Sequence, residues 1–188
     1  MPLTVREQGD VVATYRYVAV SLMECLARWV PTTPELEAKA LFGRHIWDFA
    51  QHADQFGYRT HELRLALQHS RPPVQGYKRV LENLDAITRT PDRIAVFYDA
   101  VLPDLEQRYR AYLIDADPLL DEPTIRILER ALSDFSRMLR DRDQLLTERP
   151  DLAPEHGEET AALVTGVNSI AKLVDYRPST DAAAVESE

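Results

Sequence analysis

Apolar residues recur every three or four positions along most of this chain, which is the spacing that one face of an α-helix produces. The clearest stripe consists of Val11, Tyr15, Val18, Leu22, Leu26 and Trp29. The chain has only six glycines, and no run of alternating β-branched residues is long enough for a strand. The pattern therefore predicts an all-α fold.

Prolines and capping residues set the limits of the first two predicted helices. The first begins at Asp10, a residue type that caps helix N-termini, and is stopped by Pro31. The second begins at Pro34 and continues to about residue 69, with Gly57 as the expected position of a bend or break. Because the connection between them is short, we expect the two helices to lie antiparallel.

The rest of the chain predicts two more long helices and two short ones. The long helices span residues 91–115 and 124–147, and Pro103 is expected to kink the first of them or to free a backbone carbonyl. A short helix over residues 77–88 lies in the crossover between the second and third long helices. A small helix over residues 161–174 follows the fourth.

These elements predict a single domain built as an antiparallel four-helix bundle. Residues 1–9 are interpreted as a polar lead-in, residues 10–174 as the bundle, and residues 175–188 as a disordered acidic tail. A length of 188 residues suits one domain with a sizeable core.

Charge and cysteine content narrow the classes of partner. A net charge of −9 repels phosphate backbones, so we expect no nucleic-acid partner. The chain has no stretch of about 18 uncharged apolar residues and no N-terminal apolar run with basic flanks, so we expect no membrane span and a cytoplasmic location. Cys25 is the only cysteine, which excludes a disulfide within one chain.

Glu24 is the only charged residue between Arg16 and Arg28 on the first helix. It stands in a second apolar line with Val20 and Ala27, so we expect it to be buried. A buried carboxylate must lose its charge or find a partner. We interpret Glu24 as a metal ligand or a general acid/base. The structural alternative is that it pairs with an arginine of another helix or lies at the rim of the bundle.

Two histidines and an aspartate share one face of the second helix. His45 and His52 are two turns apart, and Asp48 lies between them, so the three side chains can converge. Imidazole with carboxylate is a ligand set for first-row metals and equally a hydrogen-bonded acid/base relay. The alternative is one histidine in the core and one on the surface.

The two later long helices add three candidates. Glu106 stands on an otherwise apolar line of the third helix, as a ligand or, alternatively, as a solvated carboxylate at the edge of the apolar face. Tyr98 lies two turns before it. On the fourth helix, Asp134 occupies the line where a last ligand is expected, whereas Met138 stands where a histidine would be needed. The predicted metal ligands are therefore Glu24, His45, Asp48, His52, Glu106 and Asp134. The predicted catalytic groups are Glu24, His52 and Tyr98.

The chain resembles the bacterial ferritin-like domain proteins of the ferritin-like superfamily over roughly residues 10–147. The resemblance is carried by the segments LMECLARWV, KALFGRHIWDFAQHADQFGYRTHELR and DEPTIRILERALSDFSRML. In that superfamily, a glutamate from each of two helices and a Glu-x-x-His pair from each of the other two bind two irons or manganeses.

The resemblance implies roles for individual residues. Glu24 matches the first-helix carboxylate, and His52 matches the second-helix histidine. Glu106 is the best match on the third helix, and Asp134 matches the carboxylate of the fourth. The set is incomplete, because no histidine follows Asp134 in its helix and Phe49 stands where a carboxylate would precede His52. Asp48, one residue earlier, would have to replace that carboxylate.

Three functions are compatible with these residues. The first is an oxidase or oxygenase that uses iron or manganese on a small organic substrate in the bundle core, with no metal if the site is degenerate. The second is a metal-independent enzyme in which Glu24 and His52 act as acid and base in a cyclisation, isomerisation or elimination. The third is a non-catalytic bundle that binds a partner or forms a homodimer.

Overall fold

The computed structural model describes residues 3–154 and 158–175, and this part of the chain is all-helical, as predicted. The predicted tail beyond Asp175 lies outside the described residues. The elements in chain order are α1 (Val5–Thr32), α2 (Leu36–Glu62), α3 (Gln75–Leu84), α4 (Thr90–Ala95), a π-helical turn (Val96–Val101), α5 (Leu102–Asp115), α6 (Glu122–Glu148), a 3-10 turn (Pro150–Leu152) and α7 (Glu158–Asn168).

The first helix starts earlier than the sequence pattern predicts. Thr4 is its N-cap: the Thr4 hydroxyl accepts a hydrogen bond from the Glu7 backbone N–H, and the Glu7 carboxylate accepts one from the Thr4 N–H at 2.8 Å. This reciprocal capping box satisfies N–H groups that the first helical turn leaves unpaired. Helix α1 therefore includes part of the predicted lead-in, and Asp10 lies inside it.

Helix α2 runs without interruption through Gly57 and ends at Glu62, so the helix has no break at the glycine and the predicted end is too late. A Cβ atom at position 57 would lie 2.0 Å from the side-chain oxygen of Gln68. The glycine therefore makes room for the segment that folds back over α2. Gln68 itself adopts a φ of 58°, in the left-handed region.

Pro103 disturbs the third long helix, as its position predicts. Helices α4 and α5 are joined end to end by the π turn, which lies immediately before this proline. Proline has no N–H to donate to the carbonyl of Asp99, four residues earlier. The backbone compensates with wider hydrogen bonds, such as the one that the Leu102 N–H donates to the Phe97 carbonyl.

Ring contacts give the direction of α2 relative to α1. Tyr15 contacts Phe56 at 5.8 Å between ring centroids, and Trp29 contacts Phe42 at 5.6 Å. The N-terminal half of α1 thus contacts the C-terminal half of α2, and the C-terminal end of α1 contacts the N-terminal part of α2. The two helices are antiparallel neighbours, as the short connection predicts.

Helix α6 is antiparallel to both α2 and the α4–α5 segment. Tyr109 stacks on Phe135 at 5.5 Å, while Asp99 pairs with Arg142. On the α2 side, Arg59 donates a hydrogen bond to Thr124 at 2.8 Å. The buried aromatic and aliphatic side chains of α1, α2, α5 and α6 form one core. Among the described helices, none combines the length and apolarity needed to cross a membrane.

Candidate functional site

Charged and polar side chains run along the interface between α2 and α6. They occupy one face of each helix at spacings of three to four residues, and the π turn contributes a tyrosine. We call this set the polar seam; it consists of His45, Asp48, His52, Tyr98, Asp134, Arg137 and Asp141. The three members on α2 are buried.

His52 and Asp134 form a direct hydrogen bond across the interface. Their Nε2 and Oδ2 atoms are 2.9 Å apart, and Nε2 carries the proton because an ionised carboxylate only accepts. This hydrogen bond, together with one from Arg137, lowers the pKa of Asp134 to about 2. Asp134 is therefore ionised at neutral pH. The other ring nitrogen of His52, Nδ1, has no hydrogen-bond partner among the described residues.

Arg137 joins carboxylates that belong to different helices. Its Nη2 donates to Asp48 Oδ1 at 2.8 Å and to Asp134 Oδ1 at 2.9 Å. These bonds raise the pKa of the guanidinium above its ordinary value. Asp48 is only 8% exposed, and a carboxylate at that depth is costly without a cation beside it. One guanidinium thus compensates two carboxylates.

His45 and Tyr98 form the second part of the seam. The two side chains are joined by a hydrogen bond of 2.7 Å at His45 Nδ1. Burial raises the pKa of Tyr98, so its hydroxyl stays protonated. This hydroxyl donates to Nδ1, because the Asp141 carboxylate on the other side of the ring favours the tautomer with its proton on Nε2. The proton of the ring is then on Nε2, 3.5 Å from Asp141 Oδ2. Burial lowers the pKa of His45 to about 4, which keeps the imidazole neutral at pH 7.

Glu24 lies outside the polar seam, and the prediction that it is buried is wrong. Its side chain is 55% exposed, with Oε2 3.6 Å from Nη1 of Arg28 on the next turn of α1. Ala27, which was expected to share a buried line with Glu24, is exposed as well. A stretch without other charges does not have to be buried, because a helix on the surface of a bundle presents one side to water.

Glu106 is also separate from the seam. It is half-buried and accepts two hydrogen bonds from Arg110, one turn later on α5, at 2.9 and 2.7 Å. Its carboxylate is thus engaged within its own helix. The structure brings together His45, Asp48, His52, Tyr98 and Asp134, and it leaves Glu24 and Glu106 apart from them.

Two members of the seam, Arg137 and Asp141, are not among the residues that the sequence analysis selected. They follow Asp134 by three and seven positions, which places them on the same face of α6. Their spacing from Asp134 is the sequence feature from which they could have been predicted. An arginine three residues after a carboxylate, on an otherwise apolar face, indicates a buried ion pair. Such an ion pair accounts for the carboxylate as well as a metal site would.

The polar seam does not fit a bound metal ion. Within the described residues, no group of three or more His, Cys, Asp or Glu side chains is arranged to hold one. The guanidinium of Arg137 already engages both Asp48 and Asp134. Its positive charge also repels a second cation at this distance. The predicted iron or manganese ligand set therefore finds no support in the arrangement of these side chains.

The two histidines of the seam are closed off from solvent. His45 and His52 are 0% and 1% exposed. Rings of Phe49 and Phe135 flank His52, with centroids 5.6 and 5.8 Å from its own. A substrate would have to displace these rings to reach the imidazole of His52. The seam is thus built to hold α2, α6 and the π turn together.

A separate cleft of about 430 Å³ lies between the N-terminal part of α1, the C-terminal part of α5 and residues 171–174. We call it the end cleft. Its volume is within the range of small-molecule sites. Its apolar walls include Leu3, Val11, Ala111, Leu173 and Val174, and its polar lining includes Gln8, Tyr15, Arg108, Tyr112, Asp115, Asp117, Asp121 and Lys172.

Several charges of the end cleft are already compensated by the protein. Arg108 donates to Asp104 at 2.8 Å and to the carbonyl of Ile170. Asp121 is fully buried and accepts hydrogen bonds from Arg59 at 2.8 Å and from Tyr112 at 2.6 Å. These interactions give the cleft rigid walls.

Two charges and one amide in the end cleft have no such partner. Asp115 and Lys172 are exposed, lie on different walls and form no ion pair with any described residue. Gln8 is 9% exposed, and its side-chain amide makes no hydrogen bond to the described part of the chain. The amide atoms of Gln8 are accessible from the cleft, so the amide is available to hydrogen-bond a ligand there.

Replacement of Arg137 by methionine tests the ion pairs of the seam. Arg137→Met leaves Asp48 buried without a cation, so we expect the free energy of unfolding to fall by about 2 kcal/mol. The measurement is urea unfolding followed by circular dichroism. Arg140, an exposed arginine of the same helix, is the matched control, and Arg140→Met is expected to change the value by less than about 0.5 kcal/mol. Equal effects of both variants would contradict a stabilising role of the ion pairs that Arg137 forms with Asp48 and Asp134.

His45 predicts a specific dependence of stability on pH. Its pKa is about 4 in the folded protein against 6.5 for the free side chain. Between these values the unfolded chain binds more protons, so stability falls as the pH is lowered from 6.5 to 4, by about 3 kcal/mol. In His45→Gln, whose side chain can form hydrogen bonds but does not titrate, the free energy of unfolding is expected to fall by about 3 kcal/mol less over the same pH range. The measurement is urea unfolding at a series of pH values. His61→Gln, at an exposed position of α2, is expected to behave like the unmodified protein.

Comparison with known proteins gives no match for this chain. No protein-family model, no curated protein and no solved structure matches it. The resemblance to the ferritin-like superfamily therefore stays a prediction. The evidence on the function of this chain comes from the arrangement of its own side chains.

Proposed function

We propose that this chain is a ferritin-like helical bundle that binds a small zwitterionic molecule, of the size of an amino acid, in the end cleft. The observation that carries the proposal is Gln8, whose side-chain amide is accessible from the cleft and makes no hydrogen bond to the described residues. A ligand that both donates and accepts hydrogen bonds would satisfy it.

The directions of the helices support the ferritin-like part of the proposal. Helix α1 is antiparallel to α2, and α6 is antiparallel to α5. The connection between α2 and α4 contains the short helix α3. It acts as the crossover that joins two helical hairpins, which is the connection of ferritin-like bundles.

The charges at the cleft support the class of ligand. Asp115 attracts an ammonium group, and Lys172 attracts a carboxylate from a different wall. Neither charge is used elsewhere in the described structure. The apolar walls, which include Val11 and Leu173, leave room for a short aliphatic or aromatic side chain.

The alternatives that place chemistry in the bundle core have less support. A metal-dependent oxidase requires ligands that converge on a cation, whereas Arg137 holds the carboxylates of Asp48 and Asp134. An acid/base pair of Glu24 and His52 requires both groups at one site, whereas Glu24 is exposed and His52 is buried. Binding at the end cleft needs neither condition.

The proposal is tested by calorimetric titration of the protein with the free amino acids. We expect saturable binding of at least one of them, and weaker binding of its analogues that lack either the amine or the carboxylate. Gln8→Leu is expected to weaken binding about tenfold, because a hydrogen bond from this amide to the ligand contributes about 1–1.5 kcal/mol. Asp115→Asn and Lys172→Gln are expected to weaken it as well.

Gln107→Leu is the matched control for the glutamine variant. Gln107 is an exposed glutamine of α5 outside the cleft lining, so its replacement is expected to leave affinity unchanged. Equal binding of an amine-only or carboxylate-only analogue would show that the ligand is not a zwitterion. Absence of binding to every compound, or binding that Gln8→Leu and Gln107→Leu alter equally, would overturn the proposal.

A further inference from the structure

The outer face of α2 carries three large side chains that no other helix of the described residues covers. Leu36, Trp47 and Tyr58 are 75%, 66% and 59% exposed. They are spaced eleven residues apart, which is three helical turns plus about 20°, so they lie nearly in one line along the helix. Exposed tryptophan and tyrosine in such a line are typical of protein interfaces.

Small residues separate these side chains. Ala40 and Gly43 lie between Leu36 and Trp47 on the same face and are exposed. A Cβ atom added at Gly43 would have no neighbour within 4 Å. The surface between the two large side chains is therefore open and shallow enough for a second helix to approach closely.

The spacing is symmetric about Trp47. If a second copy of α2 lies antiparallel across this face, with Trp47 opposite its own equivalent, Leu36 of each copy lies opposite Tyr58 of the other. A two-fold interface requires this self-complementarity, because the same patch supplies both sides. A partner of unrelated sequence would not require it.

Charges beside the line agree with the same register. The antiparallel pairing places residue 39 opposite residue 55 and residue 40 opposite residue 54. Lys39 of one copy then lies beside Asp54 of the other, twice in the dimer. Lys39 makes no ion pair with any described residue, so it is available for this contact.

We infer that this protein forms a two-fold symmetric dimer through the outer face of α2, centred on Trp47. The interface consists of the Trp47 pair at the centre, a Leu36–Tyr58 contact on each side and a Lys39–Asp54 ion pair beside each contact. It uses a surface distinct from both the polar seam and the end cleft.

Sedimentation equilibrium over a range of protein concentrations tests the dimer. Trp47→Glu introduces two opposed carboxylates at the centre, and it is expected to raise the dissociation constant roughly a hundredfold. Leu119→Glu is the control, since Leu119 is 90% exposed in the loop between α5 and α6 and is not part of the line on α2. Leu119→Glu is expected to leave the dimer unchanged.

Single-cysteine cross-linking tests the register. Mixing Leu36→Cys with Tyr58→Cys is expected to give a disulfide-linked dimer on oxidation, because these positions face each other. Neither variant is expected to link to itself, since equivalent positions lie about 33 Å apart along the helix axis. The natural Cys25 is 1% exposed and does not interfere.

Each outcome bears on the inference directly. A monomer at all concentrations would overturn it, as would a dimer that Leu119→Glu disrupts and Trp47→Glu does not. A dimer in which Leu36→Cys links efficiently to itself would also overturn it, because the helices would then be parallel. Loss of association in Trp47→Glu together with the mixed disulfide would establish both the face and the register.

Discussion

The guanidinium of Arg137 compensates two carboxylates that neighbouring helices bring into a low-dielectric interface. Without it, Asp48 would be a buried anion, and α2 could not pack against α6 at this position without a large penalty. The same constraint explains why the buried His45 is neutral at pH 7. Each ionisable side chain discussed in this interface is therefore either paired with an opposite charge, as Asp48 is, or neutral, as His45 is.

The π turn shows how one local feature serves the interface. Pro103 prevents regular α-helical bonding one turn earlier, and the widened turn places Tyr98 where its hydroxyl donates to His45. A π turn inside a helix changes the direction in which the following side chains project, because it adds one residue to the turn. Here the redirected tyrosine closes one end of the polar seam, and the ring of Tyr98 also lies under Arg142, with the guanidinium carbon 5.9 Å from the ring centroid.

A core held in this way leaves the surfaces free for interactions. The end cleft is assembled from the start of α1, the end of α5 and residues 171–174, which Arg108 fixes through backbone carbonyls. The outer face of α2 is on the side away from the seam. Ligand binding and self-association would therefore use different surfaces of the bundle and would not compete for the same side chains.

The sequence by itself determined the all-helical class, the approximate limits of the long helices, such as 124–147 predicted for α6, and the inward orientation of His45, Asp48 and His52. These features follow from the helical period, which is a property of the local backbone. The tertiary structure alone decided the partners of those groups, the exposure of Glu24 and the position of the cleft. Each depends on side chains that lie far apart in the chain, such as Asp48 and Arg137, and local periodicity contains no information on which helices become neighbours.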